Sequence, residues 1–148
     1  MLRISKLTDY ATIILGYLAT YPGQIASAAT IAKNVHLAAP TVSKILKILS
    51  VSHLVTSFRG SNGGYQLARP ANDITLADVV LALEKGIALT ECCEPHSQCS
   101  LDAMCGVKEN WQLINKIIIQ SLASFTLASL IKTVKPHQSL QAIPVVIQ

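Results

Sequence analysis

Acidic residues are scarce in the first half of this 148-residue chain, where Asp9 is the only one between residues 1 and 70. The same stretch holds seven basic residues, Arg3, Lys6, Lys33, Lys44, Lys47, Arg59 and Arg69, a balance of +6. Charge is thin overall, at 14% of residues against 51% apolar, which excludes disorder for most of the length. No run is long and apolar enough to span a membrane. There is no C-x-x-C pair and no Gly-rich phosphate cradle, and the adjacent Cys92-Cys93 makes a poor redox couple. An enzyme is therefore not expected.

The length fits one domain, or a small domain with an appendage. Residues 71–148 carry five basic and seven acidic residues, a balance of −2. A basic half beside a mildly acidic one points to a polyanion met by the first half alone; ordinary solvated charge is the plain alternative.

Arg3 and Lys6 followed by ATIILGYLAT and IASAA resemble a secretory signal peptide. Against that, Asp9 and Tyr10 open the apolar region, and Leu7, Tyr10, Ile14, Tyr17 and Leu18 recur at helical spacing, as on one face of a core helix. The chain is read as soluble and cytoplasmic, where cysteines more often serve metal or redox sensing than disulfides.

Tyr21-Pro22-Gly23 stops the first helix, and Ser27 stands as an N-cap before Ala28 to Val35. His36 to Ala39 connects to Pro40, which suits a first helical turn because its missing N–H would be unpaired there. In that next helix Val42, Ile45, Leu46 and Leu49 form a buried stripe. Thr41, Ser43, Lys44 and Lys47 face the other way. Hydroxyls and lysines at the start of the second of two short helices suit a major-groove reader, the lysines reaching phosphates. A helical hairpin with a solvated face is the alternative.

Leu54 to Arg59, the turn Gly60-Ser61-Asn62-Gly63-Gly64 and Tyr65 to Leu67 predict a β-hairpin, the wing of a winged helix. Arg59 and Ser61 lie at its tip, beside glycines that let the backbone approach a phosphate or enter a minor groove. The fold expected is mainly α with a small β-hairpin wing.

Beyond Arg69-Pro70, Thr75 with Asp78 resembles a capping box and Ile74 with Val79 a hydrophobic staple. Leu76, Val79, Val80 and Leu83 are the expected stripe of that helix, which Gly86 ends. All four cysteines follow within fourteen residues, Cys92, Cys93, Cys99 and Cys105, in a polar loop. Thiolates grouped this way suit soft metals and iron–sulfur clusters; structural zinc and a metal-free thiol switch are the alternatives. Farther on, Trp111, Ile114, Ile118, Leu122 and Phe125 mark one helical stripe, with Leu113 and Ile117 on a second face. A helix apolar on two sides has two things to cover, its own domain and a partner subunit; one buried helix in a monomer is the plain alternative. A symmetric dimer supplies the two recognition helices that a palindromic operator needs. The expected organisation is a DNA-binding domain over 1–70, a connector helix over 71–88, a cysteine loop over 89–107, a dimerisation helix region over 108–131 and a tail over 132–148.

MLRISKLTDYA, PTVSKILKIL, FRGSNGGYQLARP, ITLADVVLALE, ALTECC and the NW..IN…FTLASL run together resemble the IscR/NsrR (Rrf-two) winged-helix regulators. They are especially similar to the branch that regulates SUF-type iron–sulfur cluster assembly. The resemblance covers about residues 1–131. It implies a homodimer on double-stranded DNA at a palindromic promoter, with one cluster per subunit, [2Fe–2S] in preference to [4Fe–4S]. It assigns three ligands to Cys93, Cys99 and Cys105, with Cys92 as an alternative to Cys93. Some members take the fourth ligand three residues after the last cysteine, where this chain has Lys108, unsuited while protonated. Others use an acid at the start of the first helix of the other subunit, which here is Asp9; a helix-start acid favoured by the helix dipole is the alternative. Glu91, Glu94 and His96 are further candidates. The function implied is a cluster-sensing repressor of cluster-assembly genes, with a nitric-oxide or redox responder and a metal-free thiol switch as alternatives.

Overall fold

The computed structural model describes residues 4–84, 86–94, 99–100 and 104–132. Helix α1 spans Lys6–Thr20, α2 Ala28–Val35 and α3 Ala39–Val51; strands β1 and β2 span Val55–Phe58 and Gly64–Leu67. Helix α4 spans Leu76–Leu83, α5 Lys108–Ser124 and α6 Leu127–Lys132, with short 3-10 turns at Ala71–Asp73 and Glu91–Cys93.

Local chemistry accounts for most of these ends. Ser5 caps α1 by accepting the Thr8 N–H at 3.3 Å, and Ser27 caps α2 by accepting the Thr30 N–H at 3.1 Å. The capping box of α4 forms as expected, with Thr75 N–H on Asp78 Oδ2 at 2.9 Å and Asp78 N–H on Thr75 Oγ1 at 3.1 Å. Ile74 and Val79, the expected staple, are both buried. His36 ends α2 in the left-handed region at φ 55°, its N–H returning to the Ala32 carbonyl.

The first three helices and α4 build one core. On α3 the buried residues are Val42, Ile45, Leu46 and Leu49, the four that the spacing predicts. On α1 the stripe is rotated from expectation: Ala11, Ile14, Leu15 and Leu18 are buried, while Leu7, Tyr10 and Tyr17 only flank the core. The large tyrosine rings sit at the rim of the core, and smaller side chains take its centre, where α1 packs on α2 and α3. On α4, likewise, Ala77 joins Val79 and Val80 as buried, and Leu76 and Leu83 are half-buried.

The hairpin pairs Val55 with Leu67 and Phe58 with Gly64 in antiparallel register. Its second strand also pairs with the backbone just before α2, Ala26 opposite Tyr65. Gly64 is required there because a Cβ would run into the Ala26 carbonyl.

The helix that begins at Lys108 ends at Ser124, and a second short helix follows from Leu127. Chain direction changes at Phe125 and Thr126, where Leu76 N–H donates to the Phe125 carbonyl and Leu127 N–H to the Ile74 carbonyl, both at 2.8 Å. Thr126 then caps α6, accepting the Ser129 N–H at 3.2 Å. Phe125 therefore leaves the expected stripe and is 52% exposed, whereas Leu127 is in the core. Helix α6 packs back on α1. No helix among the described residues is long and apolar enough to cross a membrane. The segment expected as a tail lies outside the described residues from position 133 onward.

Candidate DNA-binding face and cysteine site

The polar side chains expected to meet DNA fall on α3 and the wing tip. Lys44 and Lys47 are exposed on α3, with Thr41 and Ser43 half-buried beside them. Arg59 and Ser61 are exposed at the tip. Gly60 adopts φ 110°, and a Cβ on Gly63 would strike the Phe58 carbonyl, so the tip closes tightly just after Arg59. Among the described residues the only salt bridge joins Arg69 to Asp78 at 3.3 Å. Lys44, Lys47 and Arg59 thus have no acidic partner there, and their charge is available to a polyanion.

The cysteines lie between α4 and α5. All four are half-buried, none used as a core hydrophobe. Cys92 and Cys93 fall in the 3-10 turn, and the Thr90 hydroxyl lies 3.0 Å from the Cys92 sulfur and 3.3 Å from that of Cys93. The two thiols therefore share one hydroxyl. They line a groove of about 460 Å³ with Glu94, Gln112, Asn115 and Lys116 on its walls. Cys105 sits just before α5, its carbonyl accepting the Lys108 N–H at 3.4 Å. Among the described residues no three of His, Cys, Asp and Glu are gathered closely enough to hold a metal ion. The structure thus brings Cys92 and Cys93 to one hydroxyl. Glu91 and Glu94 are exposed, and His96 lies outside the described residues.

Asp9 is exposed in the first turn of α1. The groove it lines, with Ile4, Ser5, Thr8, Leu76 and Leu130, contains none of its own chain's cysteines.

Two residues that carry the site's framework have no role read from sequence. Asn115 is the one buried residue of α5, at 7% exposure. Its Oδ1 accepts the Leu89 N–H at 3.1 Å and its Nδ2 donates to the Ile87 carbonyl at 2.9 Å, clamping the root of the cysteine loop onto α5. The signal was an amide in the middle of an apolar helix, where it needs partners. Glu84, at the C-terminal end of α4, accepts the Ser5 N–H at 3.1 Å and the buried Thr8 hydroxyl at 2.5 Å. These donors, Thr8 first, hold its carboxyl below the ordinary value, against a smaller opposing effect of burial. An acid at a helix C-terminus works against the helix dipole and so implies compensating donors.

Helix α5 completes the region. Trp111, Leu113, Ile114 and Ile117 are 41–58% exposed along it. Within one chain the apolar faces expected to be covered are largely uncovered.

Residues 4–133 match the family model Rrf2, described as iron-dependent transcriptional regulators. The protein rrf2 of Nitratidesulfovibrio vulgaris is 33% identical over 132 residues, 88% of each chain. Among solved structures, CymR, the global cysteine regulator of B. subtilis, superposes with a TM-score of 0.71 at 28% identity, over 91% of this chain and all of that one. The IscR of T. potens superposes with a TM-score of 0.68 at 29% identity, over 95% and 94% of the two chains. A helix-turn-helix with a two-stranded wing, unpaired cations on its outer face and a match across nearly the whole described chain place this protein in the Rrf2 family of transcriptional regulators.

Proposed function

We propose that this regulator is a cytoplasmic homodimer that binds a palindromic operator and represses iron–sulfur cluster assembly genes, its DNA affinity set by a cluster in the cysteine loop. The observation that carries the reading is four half-buried cysteines gathered in the segment joining α4 to α5. Thiolates are the donors an iron–sulfur cluster takes, and none here is buried in the core. By donor chemistry the residues fit. Cys93, Cys99 and Cys105 would hold the cluster, with Cys92 as the alternative to Cys93 and Asp9 of the partner subunit as fourth ligand. When bound, such a cluster supplies a redox-active centre that also cross-links the loop. The protein's own part is to hold the loop root, through Asn115 on one side and Glu84 on the other.

The DNA contacts we assign are Thr41, Ser43, Lys44 and Lys47 from α3 and Arg59 and Ser61 from the wing. The subunit contact we assign is the exposed apolar surface of α5. The domains follow the same division: 1–70 on DNA, 71–88 connecting, 89–107 sensing and 108–131 dimerising, with 132–148 as a tail.

A second reading, a metal-free thiol switch, is favoured by one specific contact, the Thr90 hydroxyl shared by the Cys92 and Cys93 sulfurs.

Anaerobic purification with iron and sulfide counts and a visible spectrum separates the two. Cys93→Ala, Cys99→Ala and Cys105→Ala should each lose iron while the helical fold persists, and Cys92→Ala should be milder. A colourless parental protein whose operator affinity changes on thiol oxidation would favour the switch. Full iron retention in all three variants would remove the loop from the site.

A further inference from the structure

Among the described residues, the side-chain hydrogen bonds that join distant parts of the chain gather at the root of the cysteine loop. Glu84 reaches across 79 and 76 positions to Ser5 and Thr8, and Asn115 across 26 and 28 positions to Leu89 and Ile87. Between Glu84 and Ile87 lie only residues 85 and 86. One residue beyond Leu89, the Thr90 hydroxyl meets the sulfurs of Cys92 and Cys93. A chain of contacts therefore runs from the first cysteines, through a segment clamped to α5, to the start of α1.

The far end of that chain is set to matter. Ser5 is the N-cap of α1, and Thr8 is 1% exposed. Releasing Glu84 leaves the Thr8 hydroxyl only the Ser5 hydroxyl, 3.2 Å away, and leaves the Ser5 N–H without the carboxylate. Helix α1 is what α2, α3 and β2 pack against. A shift at its first turn is felt by the recognition helix through close-packed side chains, which pass on displacement instead of absorbing it.

We propose that Glu84 is the positioning residue that couples the cysteine loop to the DNA-binding half, by holding the start of α1 in a setting that depends on the state of the loop. The proposal rests on the reading that the loop's chemical state sets DNA affinity. It requires the contact to be made more favourably in one loop state than in the other.

The test compares untreated protein with protein alkylated at its thiols by iodoacetamide, for the parental chain, Glu84→Ala, Glu84→Gln and Thr8→Val. Two quantities are measured: amide hydrogen exchange at Thr8, Asp9 and Tyr10, and the ratio of operator affinities of the two samples. In the parental protein, alkylation should change exchange at the α1 start and shift affinity by about five- to a hundredfold, the usual range for coupled sites. In Glu84→Ala both responses should collapse, with the affinity ratio within about twofold of unity, below that coupling range. Glu84→Gln keeps an acceptor oxygen and should keep most of the exchange response. Should Glu84→Ala fold poorly, Thr8→Val removes one donor at nearly constant volume and should weaken the exchange response. A parental response undiminished in Glu84→Ala or Thr8→Val, or α1 exchange in the parental chain that is blind to alkylation, overturns the proposal. Exchange that responds through Glu84 while operator affinity does not would uphold the link and sink the DNA-sensing reading instead.

Discussion

Tyr65 and Ala26 exchange two backbone hydrogen bonds, the Tyr65 N–H to the Ala26 carbonyl at 2.8 Å and the Ala26 N–H to the Tyr65 carbonyl at 3.0 Å. The wing is thereby sewn to the residue that precedes the cap of α2. Arg59 at the tip and Lys44 and Lys47 on α3 are carried on one body, so the spacing of these cations is built in. Gly64 permits the seam, since a Cβ would meet the Ala26 carbonyl carbon at 2.6 Å. Gly64→Ala is expected to lose about 1–3 kcal/mol of stability, the usual cost of forcing atoms into a packed site. A urea midpoint equal to that of the parental protein would show that the seam yields easily.

Arg59→Ala and Lys47→Ala should differ in kind. If Arg59 reads a groove, its loss weakens the specific operator by about 1–3 kcal/mol. Lys47, as a phosphate contact, should weaken all sequences alike and reduce the salt slope by about one. Titrations of operator and scrambled duplex at several salt concentrations distinguish these, and no change in either variant moves the nucleic-acid face elsewhere.

Leu113 and Ile117 lie four residues apart on α5 and are 58% and 52% exposed. Ile117→Asp should leave the fold of one chain intact, because the side chain supports none of its core. Desolvating a new carboxylate against apolar surface should instead dissociate the dimer. Sedimentation velocity should show a monomer with unchanged helical circular dichroism; a persistent dimer would place the subunit contact off α5.

The Glu84 contact predicts a pH dependence of stability. Its folded-state carboxyl lies below the ordinary value of 4.5, held there first by the Thr8 hydroxyl and then by Ser5. Protonation is thus harder in the folded state than in the unfolded one. The stabilisation is complete above the unfolded pKa and is lost as pH falls through the lower folded value. Glu84→Gln has no such proton to gain, so its stability should fall less steeply than the parental one between about pH 5 and pH 3. Chemical denaturation across that window measures it, and parallel curves would mean that the contact does not persist in solution.

What was legible in the sequence was chemistry confined to a few neighbouring residues. Ser27 and the Thr75–Asp78 pair cap their helices because a side chain and an N–H three positions on are always in reach. Val42, Ile45, Leu46 and Leu49 are buried because helical geometry alone puts them on one face. The wing followed from a glycine-rich turn between two short β-forming runs, and the grouping of cysteines is visible in any alphabet of residue types. The break at Phe125 and Thr126 was not legible in the same way. It is made by backbone hydrogen bonds to Ile74 and Leu76, and backbone groups are the same in every residue. The pairing of Tyr65 with Ala26 is hidden in the sequence for the same reason.

Tertiary structure also decided which polar residues matter. Glu84 and Asn115 stand in the sequence as a helix-end acid and a mid-helix amide, each out of place for its element, but nothing local names their partners. Those partners are Ser5, Thr8, Ile87 and Leu89, brought near only when α1, α4 and α5 pack. The sequence by itself settled the winged helix, its cationic face and the presence of a thiol-rich segment, since each rests on short-range pattern. Whether that segment is connected to the DNA-binding half, and through which atoms, was decided by packing, because a hydrogen bond across 79 positions exists only once the core has closed around it.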